Sequence, residues 1–327
     1  MSTAFVTGGS GFVGGRLIER LVRDGWTVKA LARSDRSADA VRKLGAEPVK
    51  GDLGDVAAMR EGARGADVFH HAAAKVEQWG DWQDFARVNV TGTHNALRGA
   101  REAGVPRFVH VGTEAALMAG KPLVDVDERA PLRPDSPAPY PATKALAEQA
   151  VRQAGADGFE TVVVRPRFVW GAGDTTLLPE LVAMARSGRL RWVGGGKQKT
   201  DVTHVDNVVE GLLLAAEKGT PGAAYFVTDG EPATFRGFVS QMLETQGVTP
   251  PEGSVPAPVA TLAAIVAETV WKRTGRDGEP PLTRFVVWVT SQECTIDISL
   301  ARRELGYAPV KRRAEGMEEL RREAAAA

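Results

Sequence analysis

Apolar side chains recur in two rhythms along the chain. Short runs rich in β-branched and aromatic residues (Ala4–Thr7, Thr27–Ala32, Glu47–Lys50, Asp67–His71 and Arg107–Val111) alternate with stretches of helical periodicity over Phe12–Asp24, Ser37–Leu44 and Phe85–Ala103. This alternation predicts an α/β fold, a Rossmann-type doubly wound parallel sheet. Ala224–Thr228 reads as a strand returning to that sheet. The main domain is expected to comprise residues 1–169 plus 201–228, and a smaller, interleaved C-terminal domain residues 170–200 plus 229–327. In the second part, Pro280-Pro281 breaks a linker before Phe285–Val289, and Leu300–Leu305 reads as a helix. The Ala324–Ala327 run is expected to fray. Trp192, Trp271 and Trp288 lie in this part, either lining a cleft or filling its core.

The longest apolar stretch, Val255–Val270, contains prolines near its start and Glu268 near its end. It falls short of the ~20 residues a membrane span requires. A helix over a pocket or in an oligomer contact is the plainer expectation, and a homodimer is left open. The 327 residues are 43% hydrophobic, enough for a sizeable core. Basic and acidic residues balance at 41 each, so no global field favours nucleic acid or an anionic surface. One cysteine, Cys294, forms no internal disulfide, and the Met1–Phe5 start carries no signal-peptide pattern; both fit a cytoplasmic location.

The first strand feeds Thr7-Gly8-Gly9-Ser10-Gly11-Phe12-Val13-Gly14 and then an amphipathic helix. Glycines in such a turn let backbone approach a pyrophosphate, and the helix N-terminus offers free N–H groups to an anion. Gly8, Ser10, Gly11, Phe12, Val13 and Gly14 are therefore candidate dinucleotide contacts. At the end of the second strand, where an acid would normally receive the adenosine ribose hydroxyls, stand Ala32 and Arg33. A guanidinium there suits a 2′-phosphate, which favours NADP(H) over NAD(H). The alternative is that Asp35 takes the ribose. Asp52-Leu53, after the third strand, is placed to reach the adenine, or Asp52 caps a helix.

Tyr140-Pro141-Ala142-Thr143-Lys144 sets a phenol and an ammonium four residues apart, on one face of a helix that Pro141 opens. A phenol of pKa ~10 is a poor base at neutral pH. An ammonium at ~4 Å and an effective dielectric of ~20 stabilises the phenolate by at most about 4 kcal/mol, roughly three pKa units. Tyr140 is thus expected to titrate near 7, where it serves as general acid or base. Thr113, at the end of a predicted strand in Val111-Gly112-Thr113, supplies a hydroxyl for the substrate oxygen.

These residues resemble the extended short-chain dehydrogenase/reductases over nearly the whole chain. The likeness rests on the glycine loop, Asp52-Leu53, His70-His71-Ala72-Ala73-Ala74, Thr113, the Tyr-Pro-Ala-Thr-Lys run, Arg165-Pro166 and Thr203-His204-Val205-Asp206-Asn207. It implies that Thr113, Tyr140 and Lys144 are catalytic. It also implies that Ala72, Ala73, Ala74 and Pro166 flank the cofactor, and that Tyr140 and Lys144 contact it as well. His204 and Asp206 are implied to be structural, not metal ligands, and no metal is expected.

Nucleotide-sugar members of that family carry polar recognition residues after the sixth strand, where this chain has Phe168 and Trp170. An aromatic pair suits an apolar substrate, although both rings also suit a core. The sugar dehydratases use two acids after the catalytic threonine, whereas here Glu114 is followed by Ala115. The segment resembles the 3β-hydroxysteroid dehydrogenase and dihydroflavonol reductase branch. The expectation is an NADP(H)-dependent oxidoreductase interconverting a carbonyl and an alcohol on a steroid-, flavonoid- or polyketide-like small molecule. A nucleotide-sugar epimerase or dehydratase, and a non-catalytic NADP(H) sensor, are the alternatives.

Overall fold

The structure is a computed structural model that describes residues 2–326. Its main sheet has seven parallel strands: β1 (Thr3–Thr7), β2 (Thr27–Ala32), β3 (Glu47–Lys50), β4 (Val68–His71), β5 (Arg107–Val111), β7 (Glu160–Pro166) and β12 (Ala224–Val227). They lie in the order β12-β7-β5-β4-β1-β2-β3. Strand order reverses between β1 and β4, so a crevice opens beyond their carboxyl ends. Phe5, Phe69 and Phe108 stack across β1, β4 and β5, with ring centroids about 5 Å apart (4.9 and 5.1 Å), and fix that register.

One face is covered by α1 (Phe12–Arg23), α2 (Asp35–Lys43) and α8 (Val205–Lys218), with Leu17, Ile18, Leu21, Val208 and Leu212 fully buried. The other carries α3 (Val56–Ala63), a helical segment made of α4 (Trp82–Phe85), a π-helical turn (Ala86–Thr91) and α5 (Gly92–Glu102), and α6 (Pro139–Gln153). Two details depart from the sequence expectation. α2 begins before Ser37, because Ser34 and Ser37 cap each other reciprocally. The helix that Asp52 was the candidate to cap, α3, is present but is capped by Asp55, while Asp52 accepts the Gly54 N–H at 2.7 Å.

The remaining strands form small sheets. β6 (Leu123–Val126), β10 (Lys199–Thr200), β13 (Ala233–Thr234) and β15 (Cys294–Ile296) make one in the order β13-β10-β15-β6. It draws a strand from before α6 into the C-terminal half. β8 (Val169–Trp170) pairs with β11 (Thr203–His204), and β9 (Trp192–Val193) with β14 (Ser254–Val255). Around them pack α7 (Leu177–Arg186), α9 (Phe235–Thr245), α10 (Ala257–Thr274), α11 (Arg284–Ser291) and α12 (Arg313–Ala326), and Ala301–Leu305 forms a π-helical turn.

Trp192 and Trp288 are buried, and Trp271 is half-buried. α12 stays helical through Ala326, against the expected fraying of Ala324–Ala326; Ala327 and the Met1 end of the predicted start lie outside the described residues. Among the described residues no helix is long and apolar enough to cross a membrane.

Candidate active site

The turn after β1 is a cradle that only glycine allows. A Cβ on Gly14 would sit 2.2 Å from the Gly8 carbonyl oxygen. One on Gly8, whose φ is +74°, would sit 2.6 Å from the Ala73 nitrogen. The loop thus closes directly onto Ala72-Ala73-Ala74 at the end of β4, with α1 opening at Phe12 and no side chain capping its first turn. Thr7 and His71 lock the two strand ends together through a 2.7 Å bond between Oγ1 and Nδ1, and His71 Nε2 lies 3.1 Å from Thr93 Oγ1. This arrangement fits a dinucleotide pyrophosphate on its residues' own terms.

At the adenosine end, Arg33 is exposed just past β2, and among the described residues neither it nor Arg36 has an ion-pair or hydrogen-bond partner. Arg36 was not singled out from the sequence. Asp35 is the exposed first residue of α2. Across the crevice, Leu53 is fixed by Asn95, whose Nδ2 donates to its carbonyl at 2.8 Å.

Thr113, Tyr140 and Lys144 converge where β5 ends. Pro139 opens α6 and Pro141 follows it, so Tyr140 enters the helix in its first turn. The Thr113 side chain stands beside its hydroxyl. Lys144, buried one turn on, donates to the Val111 carbonyl at 2.8 Å and to His110 Nε2 at 3.3 Å. Burial pushes the Lys144 ammonium down to about 8, against the pull of Glu148. Burial, followed by the charge of Lys144 and the neighbouring His71, holds His110 well below the usual imidazole range, so it accepts as a neutral ring.

The phenol departs from expectation. Burial first, and the negative charge of Glu114 second, raise Tyr140 above the ordinary phenol value, with only the bond to Thr113 opposing them. The lysine that was to lower it has turned its ammonium to the β5 backbone and His110. In the protein alone Tyr140 is therefore neutral, a poised acid.

Glu114 is the site residue whose part the sequence did not reveal. It is buried, accepts the Thr113 hydroxyl at 2.8 Å, and takes a 2.6 Å ion pair from Arg167, whose Nε and Nη2 also donate to Thr200. The available signal was a lone acid ahead of the apolar run Ala115–Met118. Its partner stands 53 residues further on and was not legible.

The two substrate candidates part, and only Trp170 is corrected. Trp170 is fully buried, donates its indole N–H to Asp229 at 2.9 Å, and packs edge-on against His204 and Phe238; it is a core residue. Phe168 is half-buried, held at a positive φ of 42° and packed edge-on against Phe235 and Phe238. Pro166 ends β7 beside them, buried. His204 caps α8 by accepting the Asp206 N–H at 3.2 Å. His204, Asp206 and Glu319 approach within 4.8 Å of one another, as metal ligands do, but the Lys311 ammonium lies 2.6 Å from Glu319 and 3.7 Å from Asp206 and supplies the balancing cation.

Residues 5–257 match the 3-beta hydroxysteroid dehydrogenase/isomerase family. The chain is 47% identical to the 4-hydroxy-2-methyl-3-oxo-4-farnesyl-3,4-dihydroquinoline-1-oxide ketoreductase of Stigmatella aurantiaca, over 97% of this chain and 95% of that protein. It is 37% identical to the 2-alkyl-3-oxoalkanoate reductase of Stenotrophomonas maltophilia, over 98% and 99%. Its fold superposes on that of a dTDP-glucose 4,6-dehydratase from Streptomyces venezuelae at a TM-score of 0.78 and 23% identity, covering 99% of this chain and 97% of that one. With its dinucleotide cradle and its convergent Thr113, Tyr140 and Lys144, the chain belongs to the 3-beta hydroxysteroid dehydrogenase/isomerase family, nicotinamide-dependent oxidoreductases that act on CH–OH groups.

Proposed function

We propose that this protein is an NADP(H)-dependent ketoreductase for an apolar small molecule, working by proton transfer from Tyr140. The observation that carries this reading is the meeting of Thr113, Tyr140 and Lys144 at the end of β5, beside Glu114, in the same sheet whose β1 ends in the glycine cradle. Gly8 to Gly14 and Ala72 to Ala74 would hold the dinucleotide, with Arg33 and Arg36 facing the 2′-phosphate. When bound, the nicotinamide supplies the hydride to the carbonyl carbon, or accepts it in the reverse direction.

The protein's own residues do the rest. Tyr140 gives the carbonyl oxygen its proton as charge develops, and Thr113 donates to the same oxygen once substrate draws its hydroxyl from Glu114. Lys144, held by Val111 and His110, would present its ammonium to the cofactor. Glu114 disfavours the phenolate by its charge and holds the Thr113 hydroxyl before substrate binds. Apolar surroundings exclude water: Phe285 meets the Tyr140 ring edge-on at 5.7 Å, and Val111, Leu132 and Val289 belong to the same cluster. The substrate class also takes support from the relatives, whose names specify a farnesylated quinoline oxide and 2-alkyl-3-oxoalkanoates.

The test is optical: cofactor oxidation followed with steroids, flavonoids, β-keto esters, prenylated heteroaromatic ketones and nucleotide sugars. The reading expects NADPH consumed one for one with an apolar ketone. Interconversion of a nucleotide sugar without net consumption, or NADPH binding with no turnover across the panel, would overturn it.

A further inference from the structure

Next to the fully buried Phe108 and Val109, β5 carries a histidine into the core. The His110 ring is buried and lies against His71 of β4, with centroids 5.3 Å apart. Among the described residues it has one hydrogen-bond partner, the Lys144 ammonium, 3.3 Å from its Nε2. A neutral imidazole that accepts at Nε2 carries its proton on Nδ1, and that atom is buried without a partner. An unpaired buried N–H costs stability, which a Phe or Val in this strand would avoid. The bond to Lys144 is what sets histidine apart from an apolar side chain here.

An ammonium has three N–H groups to place. Val111, the next residue of β5, takes one through its carbonyl at 2.8 Å, and His110 takes another. Both acceptors are uncharged, so the ammonium is fixed without being neutralised, as a carboxylate would do. The charges around this pair are engaged elsewhere. Glu148, one turn after Lys144 on α6, accepts from Arg165 Nε of β7 at 2.9 and 3.1 Å, and Arg152 stands 4.0 Å from it. Glu114, after Thr113, is paired with Arg167. Burial keeps His71 neutral on β4, bonded to Thr7 and Thr93, and keeps Tyr140 protonated one turn before Lys144.

We propose that His110 is a positioning residue: with the Val111 carbonyl it ties two N–H groups of Lys144 to β5 and leaves the third for the bound dinucleotide. That the third meets a dinucleotide rests on the proposed function; the tie to β5 does not. The bond to His110 also favours the cationic form of Lys144, against the burial that depresses it to about 8.

The experiment has two arms. In full-length protein labelled with nitrogen-15 at its histidines, without cofactor and at neutral pH, His110 should be protonated at Nδ1, its signals being assigned with His110→Gln. A proton on Nε2 overturns the proposal, because that atom could not then accept from Lys144. In the second arm, His110→Phe removes the acceptor. Lys144 then discharges at lower pH, so the alkaline decline of reductive kcat/KM should move down by about one pH unit and the KM for NADPH should rise at least fivefold. His110→Gln keeps an uncharged side-chain acceptor and should return the decline to within about 0.3 unit of the wild type. A decline unmoved in folded His110→Phe, or moved equally in His110→Gln, overturns the proposal, since packing alone would then account for the ring. The tautomer is read in the wild type, so it decides the matter even if His110→Phe does not fold. It needs neither cofactor nor substrate, so a wild type that reduces no ketone strikes the proposed function and not the tie to His110.

Discussion

Replacing Glu114 with Gln tests the electrostatics of the site where its geometry is best defined. Glu114 and Thr113 both act on the Tyr140 phenol, and the Thr113 hydroxyl is 2.8 Å from Glu114 Oε2. With the charge taken at about 5.5 Å from the phenol oxygen, at an effective dielectric of ~20 it disfavours the phenolate by about 3 kcal/mol, some two pKa units. Arg167, 2.6 Å beyond Glu114 Oε1, opposes this from about 8 Å with about 2 kcal/mol.

Glu114→Gln should therefore move the rising limb of the pH profile for alcohol oxidation down by about two units. In that direction kcat/KM needs the ionised phenol, so removing a negative charge lowers the midpoint. Adding Arg167→Gln should leave a net shift of only about 0.7 unit, because the opposing cation is gone as well. The single variant leaves a buried guanidinium uncompensated and should unfold about 3–5 kcal/mol more easily, with part of that recovered in the pair. The assay is kcat/KM against pH for both variants, with denaturant unfolding alongside. An oxidation profile unmoved in the single variant, at intact secondary structure, would refute the reasoning.

Three further outcomes follow from named contacts. Arg33→Ala should raise the KM for NADPH at least tenfold and leave that for NADH nearly unchanged; equal effects on both would remove the 2′-phosphate contact. Reductive kcat/KM should be level below about pH 8 and decline above it, because burial depresses Lys144 to about 8 and its cationic form is lost as pH rises through that value. A profile level to pH 10 would contradict this. Trp170→Phe deletes the donor to Asp229 and should cost about 1–3 kcal/mol in unfolding with the ketone KM unchanged; the reverse pattern would return Trp170 to the substrate wall.

The sequence made the fold and the chemical groups legible because both are local patterns. Strand-helix alternation, the glycine turn and a tyrosine four residues before a lysine each act within a few residues, and β1, β5 and α6 put them where their spacing implied. What was not legible depends on contacts between distant segments. Phe168 and Trp170 follow β7 as expected, but Asp229, Phe235 and Phe238, some sixty to seventy residues later, turn Trp170 into core and enclose Phe168 on one side. The Tyr140–Lys144 spacing was correct and the inferred pKa was not. The Val111 carbonyl and His110 hold the ammonium, and Glu114 adds a negative charge on the other side. Asp52 and Asp55 are alternative caps three residues apart, a choice that sequence spacing does not make.

The central claim is that the Tyr140 hydroxyl delivers the proton, and removing that one oxygen tests it most directly. Tyr140→Phe should bind NADPH as the wild type does, measured by fluorescence titration, and reduce the preferred ketone at least several hundredfold more slowly in single-turnover hydride transfer. Reduction within tenfold of the wild-type rate, at unchanged cofactor affinity, would contradict the account.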